Sequence, residues 1–298
     1  MHKLMTLQSN IFILVSGFAV ILGYGLDLNA NLFVLFILLG FIVVLGVPHG
    51  SLDVLFASQT YNLNRLTHWL KFISCYSMAA LGVILVWFVM PSFFFTSFLI
   101  LSAVHFSDDL NLVNSKVLKL SYGFSIITFP SLLFGTELIH LYAMIVNLET
   151  ATHLVTAAQF ISMPIGLILA VQLLNKSIAI RTKLELLSVC ALFVLLNPML
   201  AFGVYFCVMH SARHLIRSHF FLRKFTKQAF LNALILPTVA VILMGLFVWW
   251  IGTNKPLEVD MIRIVFIGLA ALTVPHAWVL KKSNFPASSI TYHSRDYD

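Results

Sequence analysis

Residues 28–52 read LNANLFVLFILLGFIVVLGVPHGSL, twenty-five positions without a single Asp, Glu, Lys or Arg. A helix needs roughly 20 largely apolar residues to cross the hydrocarbon layer of a membrane. The stretch is apolar all round and does not alternate, so it has the pattern of a spanning helix and lacks that of a barrel strand. The same freedom from charge recurs at 4–26, 72–107, 120–136, 150–175, 186–212, 228–254 and 264–280. Most of these runs are long enough to span, and 72–107 has room for two helices.

Composition agrees. Hydrophobic residues make up 60% of the 298 and charged residues only 10%, where soluble domains carry about a quarter charged. Mean hydropathy is +0.97. A soluble fold of this size needs a polar shell that these residues do not provide. Cys75, Cys190 and Cys207 all fall in apolar runs, which argues against a disulfide framework. The net charge of +7 fits short basic loops at a membrane surface, and nucleic acid is not expected as a partner. Residues 11–26 lack a small-residue cleavage site and read as a retained first helix.

The expected fold is an all-α polytopic membrane protein, a single transmembrane domain over residues 1–298. Ten helices are expected near 10–26, 32–50, 69–90, 93–109, 119–136, 151–174, 183–196, 199–217, 230–251 and 262–280. Pro91 parts the third from the fourth. Asn197-Pro198 parts the seventh from the eighth, because proline removes a donor and disfavours helical geometry in the residue before it. One kinked helix there would make nine passes. With ten passes and both termini in the cytoplasm, all basic residues except Lys255 and Arg263, sixteen of eighteen, face inward. Nine passes would put the Arg213–Lys227 cluster outside.

Ionisable residues within the hydrocarbon are costly and are functional candidates. Five histidines qualify: His49 in VPHGSLD, His105 in SAVHFSDD, His210 and His214 in HSARH, and His276 in VPHAW. Lys and Arg alone set the ten-pass topology, and it places all five near the cytoplasmic ends of their helices. His2, His68, His140, His153, His219 and His293 fall at termini, in loops or on the opposite side. Neutral imidazole ligates iron, zinc and copper. His210 and His214, four apart, share one helical face and can reach one metal. Hydrogen bonding between helices and a proton or ion pathway are the competing readings. Asp53, one turn beyond His49, and Asp108 and Asp109, beyond His105, can accept from a ligating imidazole or ligate directly. Pro48 and Pro275 can open their helices beside a histidine, and Gly50 admits a close neighbour. Arg213 and Arg217 suit headgroup anchoring, Arg213 alternatively pairing with an acidic residue of another helix.

At these residues the chain resembles the Brp/Blh family of bacterial and archaeal membrane β-carotene 15,15'-dioxygenases. PHGSLD at 48–53, SAVHFSDD at 102–109, HSARH at 210–214 and PHAW at 275–278 occur in the family's order and cover nearly the whole chain. Ser107 departs from the family's HFG pattern without removing the histidine. The resemblance implies Fe(II) held by His49, His105, His210 and His214, and His276 matches a further family histidine; Asp53, Asp108 and Asp109 stand as further candidate site residues on their spacing alone. It also implies cleavage of the central double bond of β-carotene by O2 into two molecules of all-trans-retinal, at the cell membrane, with a retinal-binding rhodopsin as a possible product acceptor. Phe106, Tyr205, Phe206 and Trp278 are candidates to line a carotenoid tunnel. A di-iron desaturase would need more histidine boxes. A transporter or proton pathway, and a non-catalytic assembly factor for rhodopsin, are the alternatives from other classes.

Overall fold

The structure is a computed structural model that describes residues 1–25, 32–110, 115–252 and 256–285. Lys255, His293 and Arg295, used in the charge and histidine readings, lie outside the described residues. All regular structure among the described residues is helical. Among the described residues, six helices are long and apolar enough to cross a membrane: His2–Gly23, Phe36–Tyr61, Leu66–Val89, Leu148–Leu174, Pro198–Phe221 and Lys227–Gly252. A seventh arises if Lys116–Leu133 and Gly135–Ala143, bent by 111°, act as one span. Pro91–Ser107 and Ile180–Leu195 stand where passes are expected but hold only 17 and 16 residues.

The expected break at Asn197-Pro198 is present. Ile180–Leu195 ends before it, and the Asn197 side chain caps the next helix by accepting from the Met199 amide at 3.1 Å. The single helix expected over 119–136 is broken instead. Phe134 leaves helical geometry at φ −116 and ψ 35, and Gly135–Ala143 sets off in a new direction. Of the two prolines expected to open their helices, Pro48 does so. It follows a π-helical turn at Ile42–Gly46 and opens the short Val47–Ser51 helix. Proline has no amide to donate to the preceding turn, and a wider turn accommodates the loss. Pro275 stays inside an unbroken Leu257–Lys282 helix.

The chain forms two compact units. One comprises Met1, Leu32–Phe95 and His214–Phe285. In it the Leu257–Lys282 helix packs along Leu66–Val89 and Asp53–Tyr61, and Lys227–Gly252 packs on Val47–Ser51. Leu52, Phe56, Leu222 and Val279 fill its core. Ser51 Oγ and Thr238 Oγ1 meet at 2.7 Å where Val47–Ser51 touches its neighbour. Leu66–Val89 itself buries no residue completely, as suits a helix that presents apolar side chains to lipid.

The other unit includes His2–Asn31 and Thr96–Arg213. His2–Gly25 packs on Ile180–Leu195 and on a second π-helical segment, Tyr205–Ser211; Leu148–Leu174 packs on Lys116–Thr128. The backbone comes close to a neighbouring helix at Gly123, where an added Cβ would lie 1.9 Å from the Ala103 carbonyl oxygen. A glycine there lets Lys116–Thr128 lie directly against Pro91–Ser107. Gly123→Val is therefore expected to destabilise the protein by about 2 kcal/mol or more. Gly82→Ala, with nothing within 4 Å, is expected to be neutral or to stabilise by about 0.5 kcal/mol. Thermal unfolding in detergent micelles compares the two; equal melting temperatures would contradict the close contact.

Candidate metal centre

In the unit built from Leu32–Phe95 and His214–Phe285, three predicted histidines come together. The ring centroids of His49 and His214 are 5.2 Å apart, those of His49 and His276 5.4 Å, and those of His214 and His276 5.2 Å. All three are buried. His49 and His276 offer ligand nitrogens within 4.8 Å of each other.

Each ring is held through Nδ1. His49 Nδ1 donates to the Gly46 carbonyl, at the end of the π-helical turn that precedes Pro48. His276 Nδ1 donates to Asp53 Oδ1 at 2.8 Å, and Tyr76 donates its hydroxyl to Asp53 Oδ2 at 2.8 Å. His214 Nδ1 lies 3.2 Å from Ser218 Oγ. A Cβ at Gly50 would sit 4.0 Å from His276 Nδ1, so the glycine predicted to admit a neighbour lies beside that ring.

In the unit containing Thr96–Arg213, His105 and His210 have ring centroids 4.9 Å apart. His210 Nδ1 donates to Asp109 Oδ2 at 2.9 Å, and Tyr205 donates to the same oxygen at 2.6 Å. Phe106 meets the His210 ring edge-on at 4.9 Å, while Phe206 stacks on it at 5.5 Å. Beneath this pair lies a buried ion pair. Arg213 Nη2 and Nη1 donate to Glu185 at 2.6 and 3.2 Å. Its Nε and Nη2 donate to Gln8 Oε1 at 2.9 and 2.8 Å, and Nη1 donates to the Asp109 carbonyl at 2.7 Å. These contacts use all five guanidinium donors. Gln8 in turn donates to the Val208 carbonyl at 2.8 Å.

Several placements differ from the sequence expectations. Asp53 serves His276, not His49, because the helix breaks at Leu52 and Asp53 starts a new one. Asp109 serves His210, not His105, because it lies in the turn after Ser107, where helical spacing no longer applies. Asp108 is half-buried, its amide donating to the His105 carbonyl at 3.3 Å. Of the two roles expected for Arg213 the structure has the second, a pairing with the acidic Glu185 of another helix, and Arg217 is buried with its guanidinium 4.9 Å over Phe285. Trp278 is 59% exposed and faces away from the core. Tyr76, Glu185, Gln8 and Ser218 carried no expected role, and Tyr205 was a candidate only for the tunnel wall. Only the polarity of Gln8 and Glu185 beside apolar runs signalled them.

The donor set fits a metal that takes neutral nitrogen ligands. A carbonyl or carboxylate can only accept, so Nδ1 of His49, His210 and His276 carries the proton and Nε2 carries the lone pair. This arrangement fixes the tautomer and raises ligand basicity. Within one unit, His49 and His276 lie close enough to reach one metal ion together.

Removing one member of a buried ion pair strands the other charge, at a cost of roughly 3–5 kcal/mol. Glu185→Leu alone is therefore expected to lose about 3 kcal/mol or more. Glu185→Leu combined with Arg213→Met is expected to lose clearly less than the two single changes summed. Unfolding of the four proteins in determined micelle conditions gives the coupling; strict additivity would mean that the pair contributes nothing.

A family model described as Beta-carotene 15,15'-dioxygenase matches residues 41–282, a span that holds all five histidines. A Beta-carotene 15,15'-dioxygenase from an uncultured marine bacterium, 66A03, is 26% identical over 246 residues, covering 80% of this chain and 90% of that protein. No solved structure matches. The histidines that the sequence singles out and that the fold buries thus lie within a family-wide match, and the chain belongs to the β-carotene 15,15'-dioxygenase family.

Proposed function

We propose that this protein cleaves the central 15,15' double bond of β-carotene with O2 to give two molecules of all-trans-retinal. The observation that carries this reading is the set of buried histidines whose Nδ1 atoms are engaged by carbonyl, carboxylate or hydroxyl groups, in a chain of this family. In this reading His49, His105, His210 and His214 hold Fe(II), and His276, whose ligand nitrogen lies within 4.8 Å of that of His49, is a fifth imidazole that can share in holding it. Asp53 and Asp109 hold rings in place and are not ligands.

Bound Fe(II) would supply the redox chemistry that O2 activation requires. The residues of this chain orient and enclose. The Nδ1 contacts aim each Nε2 lone pair, and a set of neutral imidazoles leaves the charge of the metal uncompensated. Phe106 and Phe206 keep one side of His210 apolar, as suits a hydrocarbon substrate that arrives from the bilayer. Placing the polyene's midpoint at the metal would select symmetric cleavage.

The charge distribution supports a multi-pass cell-membrane protein of about ten passes, an inner-membrane protein in a bacterium, with both termini and the histidines on the cytoplasmic side. A retinal-binding rhodopsin in the same membrane is a natural acceptor for the product.

Expression in cells that accumulate β-carotene but make no retinal tests the reaction. Loss of β-carotene with gain of retinal is the expected result. Shorter apocarotenals, or unchanged β-carotene beside folded and iron-loaded protein, would overturn it. Alanine at His49, His105, His210 or His214 is expected to abolish both activity and bound iron. His276→Ala is expected to weaken iron binding at least about tenfold.

A further inference from the structure

The same three-residue chain occurs in both units. Tyr76 donates to Asp53 at 2.8 Å, and Asp53 accepts from His276 at 2.8 Å. Tyr205 donates to Asp109 at 2.6 Å, and Asp109 accepts from His210 at 2.9 Å. Asp53 and Asp109 are buried, as are both histidines and Tyr205; Tyr76 is half-buried. Asp53 and His276 are 223 positions apart and Asp109 and His210 are 101 apart, so no local turn produces either chain.

The backbone is adapted to the second chain. Five residues apart on an α-helix, Tyr205 and His210 would point roughly 140° away from each other. They lie instead on the π-helical segment Tyr205–Ser211, whose i→i+5 hydrogen bonding brings position i+5 back over position i. Both side chains therefore reach one carboxylate oxygen.

We infer that Tyr76 and Tyr205 are positioning residues for metal-holding imidazoles, each acting through its aspartate. A carboxylate held only by an imidazole can rotate about its bond to the rest of the side chain. A phenol hydroxyl bonded to it fixes that rotation, hence the direction of Nδ1–H, hence the aim of Nε2. The two chains differ in one respect. Tyr76 and His276 use separate oxygens of Asp53, whereas Tyr205 and His210 share one oxygen of Asp109. The inference rests on the reading of these histidines as metal-holding.

The test uses the full chain in detergent micelles, loaded with Co(II) for its visible absorption bands and with Fe(II) in competition against a chelator. Tyr76→Phe and Tyr205→Phe remove only a hydroxyl. Each is expected to shift the Co(II) bands and to weaken Fe(II) binding about tenfold, and Asp53→Asn and Asp109→Asn are expected to do so more strongly. A lower melting temperature with unchanged bands and affinity would overturn the inference and leave the hydroxyls a structural role. If Tyr205→Phe does not fold, Tyr76→Phe decides by the same readouts. Wild-type protein that takes up no Co(II) overturns the inference together with the metal reading. Shifted bands in a protein that leaves β-carotene intact support the inference while the dioxygenase reading fails.

Discussion

A charge taken out of water is stable only where matched groups surround it, and Asp109 is the residue on which this constraint acts most strongly. Its carboxylate accepts from Tyr205 and His210, and its carbonyl accepts from Arg213. Arg213 is itself buried and needs Glu185 and Gln8 to satisfy the rest of its guanidinium. Gln8 then ties the N-terminal helix to the Val208 carbonyl, within the segment that carries His210. The position of one imidazole thus depends on residues from four stretches of chain. An apolar core could not specify a ring orientation so narrowly, because dispersion contacts have little directionality.

Helix geometry is bent to the same end. Both π-helical segments, Ile42–Gly46 and Tyr205–Ser211, adjoin or contain a predicted site histidine. The first leaves a carbonyl, that of Gly46, for His49 Nδ1. The second turns Tyr205 and His210 to one side. Wider turns give up some backbone hydrogen-bond quality, so their occurrence beside site residues is informative.

Much of this was legible in the residue types. Charge-free runs of spanning length predicted an all-helical membrane chain, since apolar residues without charges have no stable place in water. The Asn197-Pro198 break was legible because proline acts on its own neighbours. The break at Phe134 was not, since nothing about a Phe-Gly pair in an apolar run enforces a turn of 111°. Histidines stood out because imidazole in hydrocarbon is rare. Their carboxylate partners were assigned by nearness in sequence and came out differently, at both Asp53 and Asp109.

The sequence by itself determined the membrane class, the helix-forming segments and which histidines deserved attention, because these follow from composition and from local periodicity. The tertiary structure alone decided which carboxylate serves which ring, that Arg213 pairs with Glu185, and that Tyr76 and Tyr205 stand behind the aspartates. Those pairings join residues from 23 to more than 200 positions apart. Hydrogen bonds depend on distance and direction in space, and no local pattern along the chain encodes either.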